Sequence, residues 1–297
     1  MMRFILLILT VSFIAHPKTV HAHFMQALKT GTIDFNDAAK YTGKIDFSVA
    51  EFSYRGITGH YAQYALQGER RLGRRTLLGA VLPIVELEST AGNHTGLSNP
   101  VLYGDHNFFE KNELYLSGGL QIGLPSSNDE HGIGSGHPEF LPYLSAAKNQ
   151  KTGGIEYYGF LQSGFHLSLG DDEHEGHALP LLINPHEDSE FFFSAGAGLL
   201  LDSLHLTPEV SLRGEHAVEG TDAGKTFLSL GLHLPLELNP MKDKDAGMSG
   251  QKTWKPGDPP LRFKRRWTWE AAPYVNVPIG RPKRFQWRAG LNAAARF

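Results

Sequence analysis

The sequence predicts an all-β protein, a transmembrane antiparallel up-and-down β-barrel of about 12 strands. Three observations predict this fold. Long segments alternate apolar and polar residues with a period of two, and the connections between them alternate between short and long. In addition, no apolar run reaches the roughly 18 residues that a membrane-spanning helix needs. A mean hydropathy of −0.27 agrees with such strands, because each has only one apolar face.

Composition narrows the classes of function. The chain has 297 residues, a formal net charge of −3 and no cysteine. A nearly neutral chain lacks the excess of positive charge that is typical of nucleic-acid-binding proteins, so we expect no nucleic-acid partner. Without cysteine there is no disulfide scaffold, no thiolate metal site and no cysteine nucleophile.

The first residues have the pattern of a secretory signal peptide. Arg3 gives a positive start, an apolar stretch follows, and Val20 and Ala22 place small residues before a cleavage point. We therefore expect a signal peptide at 1–22, a periplasmic N-terminal segment at 23–43 and the outer-membrane barrel at 44–297. A secreted chain without cysteine fits the envelope of a Gram-negative bacterium, and its outer membrane is the predicted location.

The strands follow from the alternation. Leucines occupy every second position of 228–238, for example, and the residues between them are mostly polar or small. Such segments exceed the strands of soluble sandwiches and suit a tilted crossing of a bilayer. The predicted strands are 44–54, 59–70, 76–87, 99–110, 113–124, 139–148, 154–169, 190–202, 204–215, 225–238, 262–279 and 284–297.

The connections predict the orientation of the barrel. Lys111-Asn112 and Asp202-Ser203 are tight turns, whereas 88–98, 125–138, 170–189 and 216–224 are longer polar loops. Bacterial barrels have short periplasmic turns and long external loops, so both chain ends are expected in the periplasm. The polar insert 239–261 breaks this rule, because it is long and lies on the predicted periplasmic side.

Aromatic residues near the strand ends are expected to form interfacial girdles. They are Tyr61, Tyr64, Phe108, Phe109, Tyr157, Tyr158, Phe191, Phe193, Trp267, Trp269 and Phe285.

The inward positions of the strands are polar and of mixed charge. This pattern suits either a filled barrel with paired charges or a water-filled pore, and arginines at 284, 288 and 296 form a positive stripe. The residues predicted to line the lumen are Glu156, Gln162, His166, Glu209, Arg213, Glu237, Glu270, Arg284 and Arg288.

Histidines concentrate in the predicted external loops. Loop 170–189 combines His174, His177 and His186 with Asp171 and Asp172. Neutral imidazoles and carboxylates suit Zn²⁺ or Cu²⁺, although no spacing matches a closed structural site. Three interpretations fit this composition: weak binding of zinc or copper, a merely solvated loop, or carboxylates bridged through divalent ions to lipopolysaccharide. No resident cofactor is expected.

The closing segment 284–297 resembles the last strand of bacterial outer-membrane proteins, which alternates and ends in phenylalanine, here Phe297. The wider chain resembles the outer-membrane channel family first linked to the meta-pathway of phenol degradation, through 77–83 (LLGAVLP), 96–104 (GLSNPVLYG), 118–125 (GGLQIGLP) and 132–136 (GIGSG). The resemblance implies recognition by the barrel-assembly machinery, and a barrel that passes small solutes.

The predicted function is therefore passage of a small solute, whether hydrophobic, anionic or metal-associated, without catalysis. One alternative is an outer-membrane lipid hydrolase, because His166 and Ser168 have a spacing similar to the His-x-Ser signature of such enzymes and share one face of a strand. A second alternative is a metal-binding barrel that uses the histidine-rich loops. The expected partners are outer-membrane lipid, lipopolysaccharide, the assembly machinery and the solute.

Overall fold

The structure is a computed structural model. It describes residues 41–73, 75–126, 129–152, 155–169, 182–183, 189–201, 204, 206–238, 268–281 and 284–296. The predicted signal peptide, nearly all of segment 23–43, the insert 239–261 and Phe297 therefore lie outside the described residues. The strands are β1 (Tyr41–Tyr54), β2 (Ile57–Leu72), β3 (Thr76–Ser89), β4 (Gly92–Leu97), β5 (Val101–Lys111), β6 (Leu114–Gly123), β7 (Glu139–Thr152), β8 (Ile155–Ser168), β9 (Ser189–Leu200), β10 (Glu209–Glu219), β11 (Thr226–His233), β12 (Leu236–Glu237), β13 (Thr268–Ile279) and β14 (Trp287–Arg296).

These segments form one closed antiparallel barrel of 12 strands, which confirms the predicted fold class. β3 pairs with β4 along one half and with β5 along the other, so β4 and β5 together make a single barrel strand. β11 and β12 likewise share β13 as their partner. The first strand pairs with the last over the register Thr42↔Arg296 to Glu51↔Trp287, which closes the barrel.

The connections differ between the two ends of the barrel. One end, here the turn end, carries the short connections 73–75, 112–113 and 153–154. Asn112 and Glu113 both have positive φ, as a two-residue type I′ hairpin requires. The other end, here the loop end, carries the connections 124–138, 169–188, 220–225 and 280–286. Two connections depart from this division: the two-residue turn 55–56 lies at the loop end, and the long connection between β12 and β13 lies at the turn end.

The polar segment 88–98 is not the loop that the sequence predicted. β3 continues to Ser89, turns at Thr90 and Ala91, and returns as β4 through pairs such as Glu88↔Asn93. Exposed side chains on this hairpin include Glu88, Asn93 and Thr95. The hairpin carries the polar residues of a loop while keeping the hydrogen bonds of a sheet, and composition cannot separate the two. β1 also begins at Tyr41, three residues before the predicted start.

The two faces of the strands have opposite character. Outward side chains are large and apolar, as in β3, where Leu78, Leu82 and Ile84 are each more than 40% exposed. Inward side chains are buried and include many polar ones, such as Gln63, Asp105 and Asn292. Period-two alternation with the apolar face outward is typical of barrels that are surrounded by lipid.

Inward tyrosines lie flat against glycines and link three strands at a time. Tyr158 on β8 has Gly198 on β9 as its register partner, and Gly198 is paired with Glu209 on β10. The Tyr158 hydroxyl crosses over the glycine and donates to Glu209 Oε2 at 2.8 Å. A Cβ on Gly198 would overlap the tyrosine ring, so only glycine allows this contact.

The same arrangement recurs around the barrel. Tyr143 lies over Gly119 and donates to Asp105 at 2.6 Å, and Tyr103 lies over Gly79 and donates to Glu69 at 2.7 Å. In each case the glycine is the direct register partner of both the tyrosine and the carboxylate. Tyr274 over Gly290 is a variant, since its hydroxyl reaches Asp46 at 3.3 Å, two residues away from the glycine's own partner. These contacts satisfy the buried hydroxyls and fix the strand register.

No helix among the described residues is long and apolar enough to cross a membrane.

Candidate functional site

The candidate site is the interior of the barrel together with its mouth at the loop end. A charged arc of almost completely buried groups lies mainly on β7–β10 and is joined by two arginines from β14, which neighbours β1, and from the loop before β14. It contains three carboxylates and three guanidinium groups, with one imidazole beside them. These residues are Glu139, His166, Glu190, Arg213, Glu215, Arg284 and Arg288.

Arg284 is the centre of this charged arc. Its Nη1 donates to Glu190 Oε2 at 3.1 Å and to Glu215 Oε2 at 3.3 Å, and its Nη2 bonds the other oxygen of Glu190. Glu215 also forms an ion pair with Arg213, whose Nε lies 2.6 Å from Glu215 Oε1. Burial lowers the pKa of Arg284, but the two carboxylates outweigh burial and raise the pKa above its ordinary value. Because bidentate pairs lock both side chains, Arg284 ties loop 280–286 to β9 and β10.

The opposite arc of the inner wall is apolar towards the loop end. β1, β2 and β3 contribute Phe52, Tyr61, Val85 and Leu87 to one buried cluster. A solute inside the barrel would therefore meet an apolar wall on one side and ionised groups on the other.

Side chains from the loop end complete this cluster at the mouth of the barrel. Ile133 from loop 124–138, Leu182 and Ile183 from loop 169–188, and Phe285 from loop 280–286 are all buried against it. We call Ile133, Leu182, Ile183 and Phe285 the apolar plug. Burying four large apolar side chains contributes about 1.5–3 kcal/mol each, which favours the closed arrangement.

Hydrogen bonds hold the plug in place. The amides of Leu182 and Ile183 both donate to the carbonyl of Gly132, at 2.8 and 3.2 Å, and so join two loops. Ser98 Oγ donates to the Ile133 carbonyl at 2.8 Å. Asn99 is buried below them, where it accepts from the Ser135 amide at 3.1 Å and donates to Glu139 Oε1 at 2.7 Å. The loop is therefore anchored to both the wall and the charged arc.

The structure places most of the predicted lumen residues inside the barrel. Gln162, His166, Glu209, Arg213 and Arg288 are buried on inward positions, and Glu156 and Glu270 are half-buried on inward positions near the turn end. The backbone of Glu237 pairs with Glu270, whereas its side chain lies outside the described part of the structure.

Two details of the predicted interior need correction. Arg284 and Phe285 precede β14, which begins at Trp287, so they belong to a loop rather than to a strand at 284–297. Arg284 and Arg288 do not form a free positive stripe, because Arg284 is neutralised by two glutamates and Arg288 donates to the Tyr61 hydroxyl. The side chain of Arg296 is outside the described part.

Tyr61, Tyr158 and Phe285 were predicted in interfacial girdles but lie inside the barrel, at 8% exposure or less. The girdle prediction used their nearness to the strand ends and ignored which face each residue occupies. Tyr64, Phe108, Phe109 and Trp269 do face outward.

The sequence analysis missed Glu139, Glu190 and the plug. Both glutamates occupy inward positions of predicted strands, so the period of two was a sufficient signal for them. Ile133 is an isolated apolar residue in a polar loop, so only its contacts reveal it. Leu182 and Ile183 end the apolar run 178–183 (ALPLLI), a signal that the description of 170–189 as a polar loop overlooked.

The pair proposed for a hydrolase faces the interior. His166 is 2% exposed, and the outward positions beside it are taken by Phe165 and Leu167. Among the described residues, Ser168 Oγ has no hydrogen-bond partner, so His166 does not activate it in this structure. The pair is thus turned away from any lipid around the barrel.

The predicted metal ligands Asp171, Asp172, His174, His177 and His186 all lie outside the described residues. Within the described ranges, no group of three or more histidine and carboxylate side chains is placed to hold a metal ion.

The barrel has the fold of bacterial outer-membrane proteins. An outer-membrane channel from Pseudomonas putida F1 superposes with a TM-score of 0.58 at 11% identity, covering 90% of this chain and 100% of that chain. The β-domain of the Bordetella autotransporter BrkA gives a TM-score of 0.51 at 10% identity, covering 88% and 100%. At such identities the similarity concerns the fold alone. No family model matches this sequence, and no curated protein matches it.

Proposed function

We propose that the protein is an outer-membrane channel for small solutes, and that the structure represents its closed state. The observation that carries the proposal is the apolar plug at the mouth of a barrel whose wall is apolar outside and polar inside. Loops that fold into the opening stabilise the barrel through the apolar surface that they bury. A channel needs such loops in order to control passage.

The shared fold with an outer-membrane channel of Pseudomonas putida F1 supports this function. The resemblance of the sequence to the channel family linked to phenol degradation points the same way. In the proposed orientation, the turn end faces the periplasm and the loop end faces the external medium, beside lipopolysaccharide. We propose that the barrel-assembly machinery inserts the chain into the outer membrane.

The interior suggests how a solute is selected. Its apolar arc and its charged arc face the same lumen, so a small solute with an apolar body and a polar group would find partners on both. The charged arc is balanced between acids and bases, which gives no strong preference for anions. We propose a small, weakly charged solute.

Single-channel recording in planar bilayers tests the channel and its plug. Wild type should show low conductance with rare openings, and the variant Ile133→Ser/Leu182→Ser/Ile183→Ser should open frequently, because a polar plug no longer gains from burial. Leu124→Ser is the matched control, since Leu124 belongs to the same loop but is 39% exposed. A plug variant that remains as silent as wild type would contradict the proposal.

The absence of catalysis is part of the proposal. Ser168→Ala should conduct like wild type, and the purified wild-type barrel should release no fatty acid from phospholipid or lipid A. Fatty-acid release that disappears in Ser168→Ala would favour the hydrolase instead.

A further inference from the structure

An apolar groove of about 690 Å³ crosses the outward face of the barrel near the turn end. Its floor is one row of residues that are consecutive register partners on six neighbouring strands. From one end of the groove to the other, the row is Trp269, Ala295, Gly43, Gly68, Ala80 and Leu102.

The depth of the groove comes from the small residues in the middle of the row. Cβ atoms built on Gly43 and Gly68 would meet no other atom within 4 Å, so the space above them is open. The next outward row stands beside them as a wall, with Ile45 and Leu66 more than half exposed and Leu82 at 42%. The result is a groove in the outer surface that is one side chain deep.

The groove also runs obliquely across the barrel, so that one of its ends is farther from the turn end than the other. Trp269 is one residue from the described start of β13, whereas Leu102 is nine residues from the turn end of β5. Five steps between strands give a length of about 24 Å. In the proposed orientation, one end of the groove lies at the periplasmic interface and the other lies within the bilayer. That is the path of a lipid acyl chain.

Positive charge lies beside the middle of the groove, on the side that faces the turn end. The sequence has four arginines at 70, 71, 74 and 75. Arg70 is outward and exposed, and it is the register partner of Tyr41, directly below the pair Gly43↔Gly68. Its guanidinium carbon is 5.9 Å from the centre of the Tyr41 ring, which holds it beside the groove.

We propose that this groove binds one acyl chain of an anionic glycerophospholipid of the periplasmic leaflet, with the lipid phosphate paired to Arg70. The apolar lining selects a chain, and the arginine selects an anionic headgroup. Lipopolysaccharide offers the same chemistry but occupies the opposite leaflet. The proposal rests on the outer-membrane location proposed above.

Quenching of Trp269 by brominated lipid tests the site, because Trp269 lines the groove. Trp254, Trp267 and Trp287 are changed to Phe, and the barrel is inserted into vesicles of phosphatidylcholine with dibrominated phosphatidylglycerol or dibrominated phosphatidylcholine. We expect the anionic lipid to quench about fivefold more strongly at equal mole fraction, the effect of one arginine at a membrane surface.

Two variants separate the chain from the headgroup. Gly43→Leu/Gly68→Leu places side chains in the groove, where a Cβ at either position meets open space, and should remove the excess quenching. In Arg70→Gln, brominated phosphatidylglycerol should quench Trp269 no more strongly than brominated phosphatidylcholine does. The control Ala197→Leu adds a leucine to the outward face of β9, far from the groove, and should behave like the parent.

Several results would overturn the proposal. Equal quenching by the two lipids in the parent protein would do so, as would unchanged preference in Gly43→Leu/Gly68→Leu. If native mass spectrometry finds that the barrel retains lipid A instead of phospholipid, the occupant of the groove is lipid A. If the parent protein is a dimer that Gly43→Leu/Gly68→Leu dissociates, the occupant is a second copy of the chain. A barrel that inserts normally but shows no preference refutes only this site, whereas failure to insert refutes the membrane location as well.

Discussion

At the scale of single residues, the inner wall depends on glycines that leave room for tyrosine rings. Gly198→Ala should destabilise the barrel by about 1–3 kcal/mol, because the new methyl group forces the Tyr158 ring away from Glu209. Gly68→Ala, in open space on the outer wall, is the control and should change stability little. Denaturant unfolding in detergent micelles measures both, and equal midpoints would refute the role given to Gly198.

The carboxylate of Asp222 makes the stability of loop 220–225, at the mouth of the barrel, depend on pH. It is 7% exposed, accepts from Lys225 Nζ at 2.6 Å and from the Tyr54 hydroxyl at 3.3 Å. Burial raises its pKa, but Lys225 outweighs burial, so the pKa lies below its ordinary value. A lowered pKa gives stability that is present above about pH 4 and lost as pH falls through the folded value.

We therefore expect the amides of loop 220–225 to lose protection from hydrogen exchange only below about pH 4. In Lys225→Met the pKa of Asp222 should rise, and the loss should begin at higher pH. Protection factors that follow the same pH profile in both proteins would contradict this account.

The histidines of loop 170–189 remain a prediction about metal binding. Imidazole ligates only when neutral, so zinc retention by the purified barrel should fall between about pH 7 and pH 5. Replacing His174, His177 and His186 together should remove most of it. If calorimetry finds equal zinc binding in the triple variant, the loop is only polar.

At the scale of elements, β14 closes the barrel by pairing with β1 on one side and β13 on the other. Deleting Phe297 should lower the amount of protein in the outer membrane, because this strand carries the resemblance to the assembly signal. Phe297→Tyr keeps an aromatic end and should assemble normally. Conductance of the deleted protein that does assemble should be unchanged, and normal abundance after the deletion would count against the signal.

The strands were predictable because each follows one simple rule, the alternation of faces. Leu228, Leu230 and Leu232 face outward as predicted, and Arg288 and Asn292 lie on the polar, inward face of β14 as predicted. The hairpin at 88–98 was missed because a strand that carries polar side chains loses the contrast between its faces.

At the scale of the whole molecule, the sequence indicated a closed barrel but left open whether it was filled. Whether the barrel is filled depends on loops that meet only in the folded protein. Ile133 and Leu182, for example, are 49 residues apart in the sequence and belong to one buried cluster. Their hydrogen bonds through Gly132 are properties of the assembled mouth and have no local pattern. The same holds for Arg284, whose partners Glu190 and Glu215 come from two other strands.

The most direct test of a channel closed by its own loops is a reversible lock on the plug. Asn99 and Ser135 are hydrogen-bonded neighbours that join loop 124–138 to the wall, and the natural chain has no cysteine to interfere. Single-channel current through Asn99→Cys/Ser135→Cys is recorded before and after a reductant is added to the same membrane. We predict that the oxidised channel is silent and that reduction restores at least the rare openings predicted for wild type. Equal current before and after reduction, or high conductance while the disulfide is intact, would contradict the account.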